Sequence, residues 1–145
     1  MSDSRPMSGS SEIRIRETNR ELAIGWFQQV WNERKVETVD ELFAANAIGH
    51  TENGDQNRAQ FKAGREGLLN ALPDIRVDVE DTAADGDHVV VRWRAAGTHL
   101  GDGLGMAATN RSVTFRGMTW LIFKNGVIVE GWDSWNLGGL LESLK

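Results

Sequence analysis

The stretch SVTFRGMTWLIFKNGVIVEGWDSWN, residues 112–136, decides how this chain folds. It consists of two runs rich in β-branched and aromatic residues, separated by Lys124-Asn125-Gly126, and this pattern predicts an antiparallel hairpin. The second run carries an acid, Asp133, between Trp132 and Trp135, and the loop length sets which way that acid points. A two-residue Asn125-Gly126 loop pairs Lys124 with Val127 and sets Asp133 across from Met118. A three-residue loop, with Gly126 left-handed in a bulge, sets it across from Gly117. In the three-residue register Val113, Phe115, Leu121, Phe123, Val127 and Val129 share one face, interrupted by the small Gly117, Thr119 and Gly131 around the acid. That pattern describes a cavity wall bearing a carboxylate. The opposite face then carries Met118, Trp120, Ile122, Ile128 and Trp132, which is too apolar to stay open to water and demands a partner.

Upstream of the hairpin the period is also that of strands. IRVDVEDT, beginning at Ile75, sets Ile75, Val77 and Val79 on one side, and HVVVRWRAAGTH, residues 88–99, follows the turn ADGD. Before residue 74 the period is helical. Thr18 and Glu21 form a capping-box pattern ahead of an apolar face of Leu22, Ile24, Trp26, Phe27, Val30 and Trp31. A shorter helix runs through VETVDELFAA from Val36, burying Val39, Leu42 and Phe43. A third spans NRAQFKAGREGLLNAL, residues 57–72, and ends at Pro73. Gly64 and Gly67 weaken it by roughly 1 kcal/mol each relative to alanine unless they serve close packing. LGGLLESLK at the C-terminus reads as a short helix covering one end. Helices followed by an antiparallel sheet make an α+β fold.

At 145 residues the chain has the size of one domain. Residues 1–12, rich in serine, have little to bury and are expected to be a disordered tail ahead of a single domain, 13–145. They also lack the apolar core of a signal peptide. The net charge of −5 opposes binding to nucleic acid or an anionic membrane and favours a small neutral or hydrophobic ligand. No cysteine is present, which suits a reducing, cytoplasmic setting. The sequon NRS at 110–112 is read as accidental. The three histidines fall in no zinc-binding spacing, so neither metal nor cofactor is expected. GDGLGM leads to a strand where a phosphate loop would open a helix, and the arginines of RWR, Arg92 and Arg94, read as a solvated face.

GTHLGDGLGMAATNR, VTFRGMTWLIFKNGVIVEGWDSW and LGGLL together resemble the SnoaL-like polyketide cyclases of the nuclear transport factor two-like superfamily, over a span from about Glu21 to the C-terminus. The resemblance implies a cone-shaped α+β barrel, with a curved antiparallel sheet wrapped around the N-terminal helices and enclosing a pocket, and it implies a homodimer. In those cyclases the aspartate at the position of Asp133 is a general base that removes a proton flanked by two carbonyls and starts an intramolecular aldol closure without cofactor. The family's histidine and glutamine fall at Thr119 and Gly117 here, and its asparagine at Gly49, so three polar pocket groups are replaced.

Asp133 suits a base because burial beside Trp93 or Trp135 raises a carboxyl pKa towards neutrality; the bland reading is a helix cap or a partner of Arg94 or Arg116. His99 ends the strand whose inward members include Trp93, so it is a candidate to assist Asp133, or else it holds the glycine loop. His50, Met106, Gly117, Thr119, Trp93, Trp135 and Trp26 are candidates to line the substrate site, although for Trp26 ordinary core packing is the better reading. His88 reads as a turn residue. The competing functions are an epoxide hydrolase or isomerase of the same superfamily and a non-catalytic ligand-binding or dimeric adaptor protein. A hydrolase needs an Asp-Arg-Asp set, and an adaptor predicts a filled core in place of a cavity.

Overall fold

A computed structural model describes residues 9–145. Helix α1 (Gly9–Phe27) passes into a π-helical turn (Gln28–Asn32), and α2 (Glu37–Leu42) leads without a loop into β1 (Phe43–Thr51) and β2 (Gly54–Gln56). Helix α3 (Arg58–Ala71) precedes four strands, β3 (Arg76–Asp85), β4 (His88–Thr98), β5 (Ser112–Lys124) and β6 (Val127–Trp135), and α4 (Leu137–Ser143) ends the chain. The α+β expectation holds, with one curved six-stranded sheet in the order β2-β1-β6-β5-β4-β3. The cone is not closed, because β2 and β3 are free edges. Nor is the sheet purely antiparallel: β1 lies parallel to β6, because the first strand is laid beside the last. No described helix is long and apolar enough to cross a membrane.

Two element boundaries differ from expectation. Helix α1 starts at Gly9, so Gly9–Glu12 of the expected tail are helical and Thr18 lies inside the helix, where it caps nothing; residues 1–8 lie outside the described residues. Phe43, expected in a helix, opens β1 with extended backbone, and its ring joins Trp26 and Phe61 in an aromatic cluster with centroids 5.3–6.2 Å apart. Helix α3 begins where expected, because Asn57 and Gln60 form a reciprocal capping box.

The helical layer is tied to the sheet by polar side chains that take up backbone groups. Asn32 both donates to the Val77 carbonyl and accepts from the Val77 amide, at 2.8 Å each, which satisfies part of the exposed edge of β3. Arg65, almost fully buried, donates to the Val30 carbonyl in the π-helical turn at 3.0 Å. On α3 the purpose of Gly67 is close packing, since a Cβ there would lie 3.1 Å from the Gly103 carbonyl of the glycine-rich loop.

The hairpin follows neither simple register. Asn125 and Gly126 are both left-handed, with φ of 51° and 80°, so the loop has two residues and Lys124 pairs with Val127. A bulge then falls at Val129, between the pairs Phe123–Ile128 and Ile122–Glu130, and it sets Asp133 across from Thr119. The two-residue loop brings Ile128 inward across from Phe123, contrary to expectation, and the bulge then reverses the phase of β6, so that Gly131 and Asp133 face the same side as Leu121 and Thr119. Met118, Trp120 and Trp132 are exposed on the outer face, as expected.

Candidate active site

Between the inner sheet face and the helices lies a cavity of about 650 Å³, large enough for a polycyclic ligand. Its wall is mainly aromatic and aliphatic: Trp26, Trp31 and Phe61 from the helical layer and Trp93, Phe115 and Trp135 from the sheet. Phe115 and Trp135 stack with centroids 5.0 Å apart, and the edge of Trp93 meets Trp135 at 6.4 Å. Asp133 stands among these rings on the cavity wall.

A polar relay runs to Asp133 through the core. The Trp93 indole Nε1 donates to the Thr119 hydroxyl at 3.0 Å, and that hydroxyl donates to Asp133 Oδ1 at 2.5 Å. Because the indole has claimed a lone pair of Thr119, the hydroxyl proton is directed at the carboxylate. Asp133 Oδ2 has no protein partner among the described residues. Burial pushes the Asp133 carboxyl above the ordinary aspartate range, and the Thr119 hydrogen bond opposes part of that rise. No described arginine pairs with it: Arg92 and Arg116 lie on the outer face against Glu80, which the bulge between Val79 and Asp81 presents to both. The Asp-Arg-Asp arrangement of an epoxide hydrolase is therefore not formed around Asp133 by the described residues.

The other predicted residues divide. Trp26, Trp93, Thr119 and Trp135 line the cavity, although Trp26 and Trp93 are also core side chains. Gly117 does not line it, because the volume that a side chain would need is filled by the Trp93 ring: a Cβ would come 2.3 Å from Trp93 Cζ2. Met106 packs against the core beyond the cavity wall. His50 faces outward, with Nδ1 2.7 Å from Asp55 Oδ1, Nε2 2.7 Å from Glu130 Oε2 and the ring stacked on Trp132. Hydrogen bonds to these two carboxylates raise its pKa, Glu130 most.

His99 is fully buried but does not join Asp133. Its Nδ1 accepts from the Thr109 amide at 3.2 Å, and it holds the glycine-rich loop. Val91 is in register with Thr119, and His99 lies eight residues further along the chain, just past the end of β4 and about 26 Å away along an extended backbone. Sequence reasoning missed Gln56 and Arg65, both on the cavity wall. Gln56 sits on a three-residue strand without periodicity, and Arg65 on a helix reads as solvent-facing.

A curved α+β fold thus sets a half-buried carboxylate on the wall of a large, mainly aromatic cavity. Residues 21–144 match the family model of the SnoaL-like polyketide cyclases, and the chain belongs to that family. Similar solved structures include AclR, a putative hydroxylase from Streptomyces galilaeus, with 26% identity over 89% of this chain and 96% of that one and a TM-score of 0.82. A putative polyketide cyclase from Acidithiobacillus ferrooxidans shares 26% identity over 95% and 97%, with a TM-score of 0.74. A putative SnoaL-like polyketide cyclase from Jannaschia sp. CCS1, 21% identical over 97% of each chain, has the same fold, with a TM-score of 0.82. Among curated proteins, none matches the chain.

Proposed function

We propose that the chain is a cofactor-independent enzyme that closes a ring on a hydrophobic, polyketide-like aromatic substrate, with Asp133 as general base. The observation that carries this reading is the Asp133 carboxylate on the wall of a largely apolar cavity, with one oxygen fixed by Thr119 and the other without a protein partner among the described residues. Asp133 takes a proton from a carbon flanked by carbonyl groups, and the electron pair of that C–H bond becomes an enolate. The enolate carbon attacks a second carbonyl of the same molecule, forming a C–C bond, and the resulting alkoxide takes a proton back from the Asp133 carboxylic acid. Trp93, Trp135 and Phe115 hold the flat substrate against the base. An unfilled cavity speaks against the adaptor reading. A cytoplasmic setting completes the proposal and rests on the lack of cysteine.

The test is Asp133→Asn, which keeps the shape and removes the proton acceptor. Aromatic polyketide ligands should bind to it as to the wild type, read by tryptophan fluorescence, while ring closure falls by about 100-fold or more. Unchanged turnover would remove Asp133 from the chemistry. A second reading, hydroxylation of such a substrate with dioxygen as the oxidant, is favoured by the likeness to AclR, and product analysis by mass spectrometry separates the two through the gain of an oxygen atom.

A further inference from the structure

An enolate formed by Asp133 needs a hydrogen-bond donor on its oxygen, and Thr119 does not supply one, because its proton already goes to Asp133. Of the described cationic side chains only Arg65 lies on the cavity wall, and its guanidinium is committed to the Val30 carbonyl and to Glu66. The side chain of Gln56 is different. It lines the cavity, is half-buried and has no hydrogen-bond partner among the described residues.

Its place is prepared by two glycines. Gln56 pairs with Gly49 on β1, Gly49 with Gly131 on β6, and Gly131 with Leu121 on β5. Gly49 and Gly131 are both buried on the inner face, so this row of the sheet is a trough with a glutamine at one end. The Gln56 side chain lies across Gly49, with Cγ and Nε2 3.4 and 3.5 Å from where a Cβ would stand. Asp133 is two residues beyond Gly131. With strands about 4.8 Å apart and about 3.3 Å per residue, the Cα atoms of Gln56 and Asp133 are separated by about 12 Å, a span that their side chains and a bound ring can fill.

We infer that Gln56 is the substrate-orienting donor of this site, its amide N–H bonding the carbonyl oxygen that becomes the enolate when Asp133 takes the neighbouring proton. This rests on the base role proposed for Asp133. The substrate it selects is a ring ketone whose oxygen lies over the Gly49–Gly131 trough while its acidic C–H faces β6.

Two probes test it separately from the base role. Proton-for-deuterium exchange into 2-tetralone, followed by NMR, reads enolate formation. Gln56→Leu should slow exchange by about 100-fold with little change in KM, because the donor acts on developing charge. Gly49→Val, which leaves the amide in the chain but crowds it off its seat, should slow exchange similarly. Binding of 2-naphthol to Asp133→Asn protein, with its ionisation read by absorbance, reports on the donor without turnover. Adding Gln56→Leu should raise the pH at which the bound naphthol ionises. Exchange in Gln56→Leu equal to the wild type overturns the inference. If wild-type exchange is no faster than that of Asp133→Asn, the base role falls, and the naphthol then decides Gln56: an unmoved ionisation overturns the inference too.

Discussion

Asp133 is costly to keep ionised, and that cost is measurable. Its folded-state pKa is raised by burial, so the native protein binds the proton more tightly than the unfolded chain does. Stability therefore falls as pH rises from the unfolded aspartate value, about 3.9, through the raised folded value, and stays lowered above it. Asp133→Asn should raise the melting temperature at pH 7, with the gain shrinking as pH is lowered towards 4, in paired calorimetric scans. An equal or lower melting temperature at pH 7 would mean that the carboxylate is not desolvated. Thr119 acts in the opposite direction, since its hydrogen bond favours the charged form. Thr119→Val should thus shift the rising limb of the pH–rate profile to higher pH, so that the variant reaches its plateau later than the wild type. A shift to lower pH would contradict the relay. The residue type at 133 and its hydrophobic setting could be read in the sequence; the relay could not, because Trp93 and Thr119 are 26 residues apart and meet only through strand pairing.

At the scale of the element, the hairpin shows what periodicity settles and what it leaves open. The strands of residues 112–124 and 127–135 follow from alternating apolar residues, whereas the facing of Asp133 hangs on the loop length, and only the three-residue register sets it inward. The register does not follow from periodicity, because a two-residue loop with one bulge restores the parity that a three-residue loop would have given. Val129 carries no mark of the bulge, as a β-branched residue is at home in a regular strand too. The two-residue loop puts Ile128 on the inner face, against the expected alternation, and the unmarked bulge alone returns Asp133 there. The same argument gives a prediction. Deleting Val129 would only regularise the ladder and leave Asp133 across from Thr119, whereas an alanine inserted after Val129 continues the ladder one residue out of phase, turning Asp133 and Gly131 outward and setting Glu130 across from Leu121. Burying Glu130 there cannot be accommodated, since even a Cβ at Gly131 would approach Leu121 to 3.1 Å. The insertion should abolish the cooperative thermal transition, whereas the Val129 deletion should keep one. An insertion variant that folds and keeps its activity would show that the bulge can absorb a further residue.

For the whole molecule, the inward face accounts for the cavity and the outward face is left uncovered. Met118, Trp120 and Trp132 are 51%, 48% and 40% exposed, and the two indoles meet edge to face at 6.5 Å. Ile48, on the parallel strand β1, extends the patch. Helix α4 does not fold back over it, since its buried Leu140 belongs to the core that holds Phe123 and Val113. Around the patch stand charged groups already in pairs, Glu80 with Arg92 and Arg116 on one side and His50 with Glu130 on the other. A contiguous apolar centre with a polar rim is the anatomy of an interface, and a two-fold axis through the sheet face would cover both copies at once. The tryptophans at its centre would carry most of the affinity and the rim charges little. Light scattering at micromolar concentration should give twice the chain mass for the wild type. Trp120→Glu, which puts a charge at the centre, should give the monomer mass with the cavity and its ligand binding intact, while Arg92→Ala should remain a dimer. A wild-type monomer would show that the sheet face meets something other than a second copy, and a dimer that survives Trp120→Glu would place the contact elsewhere on the cone.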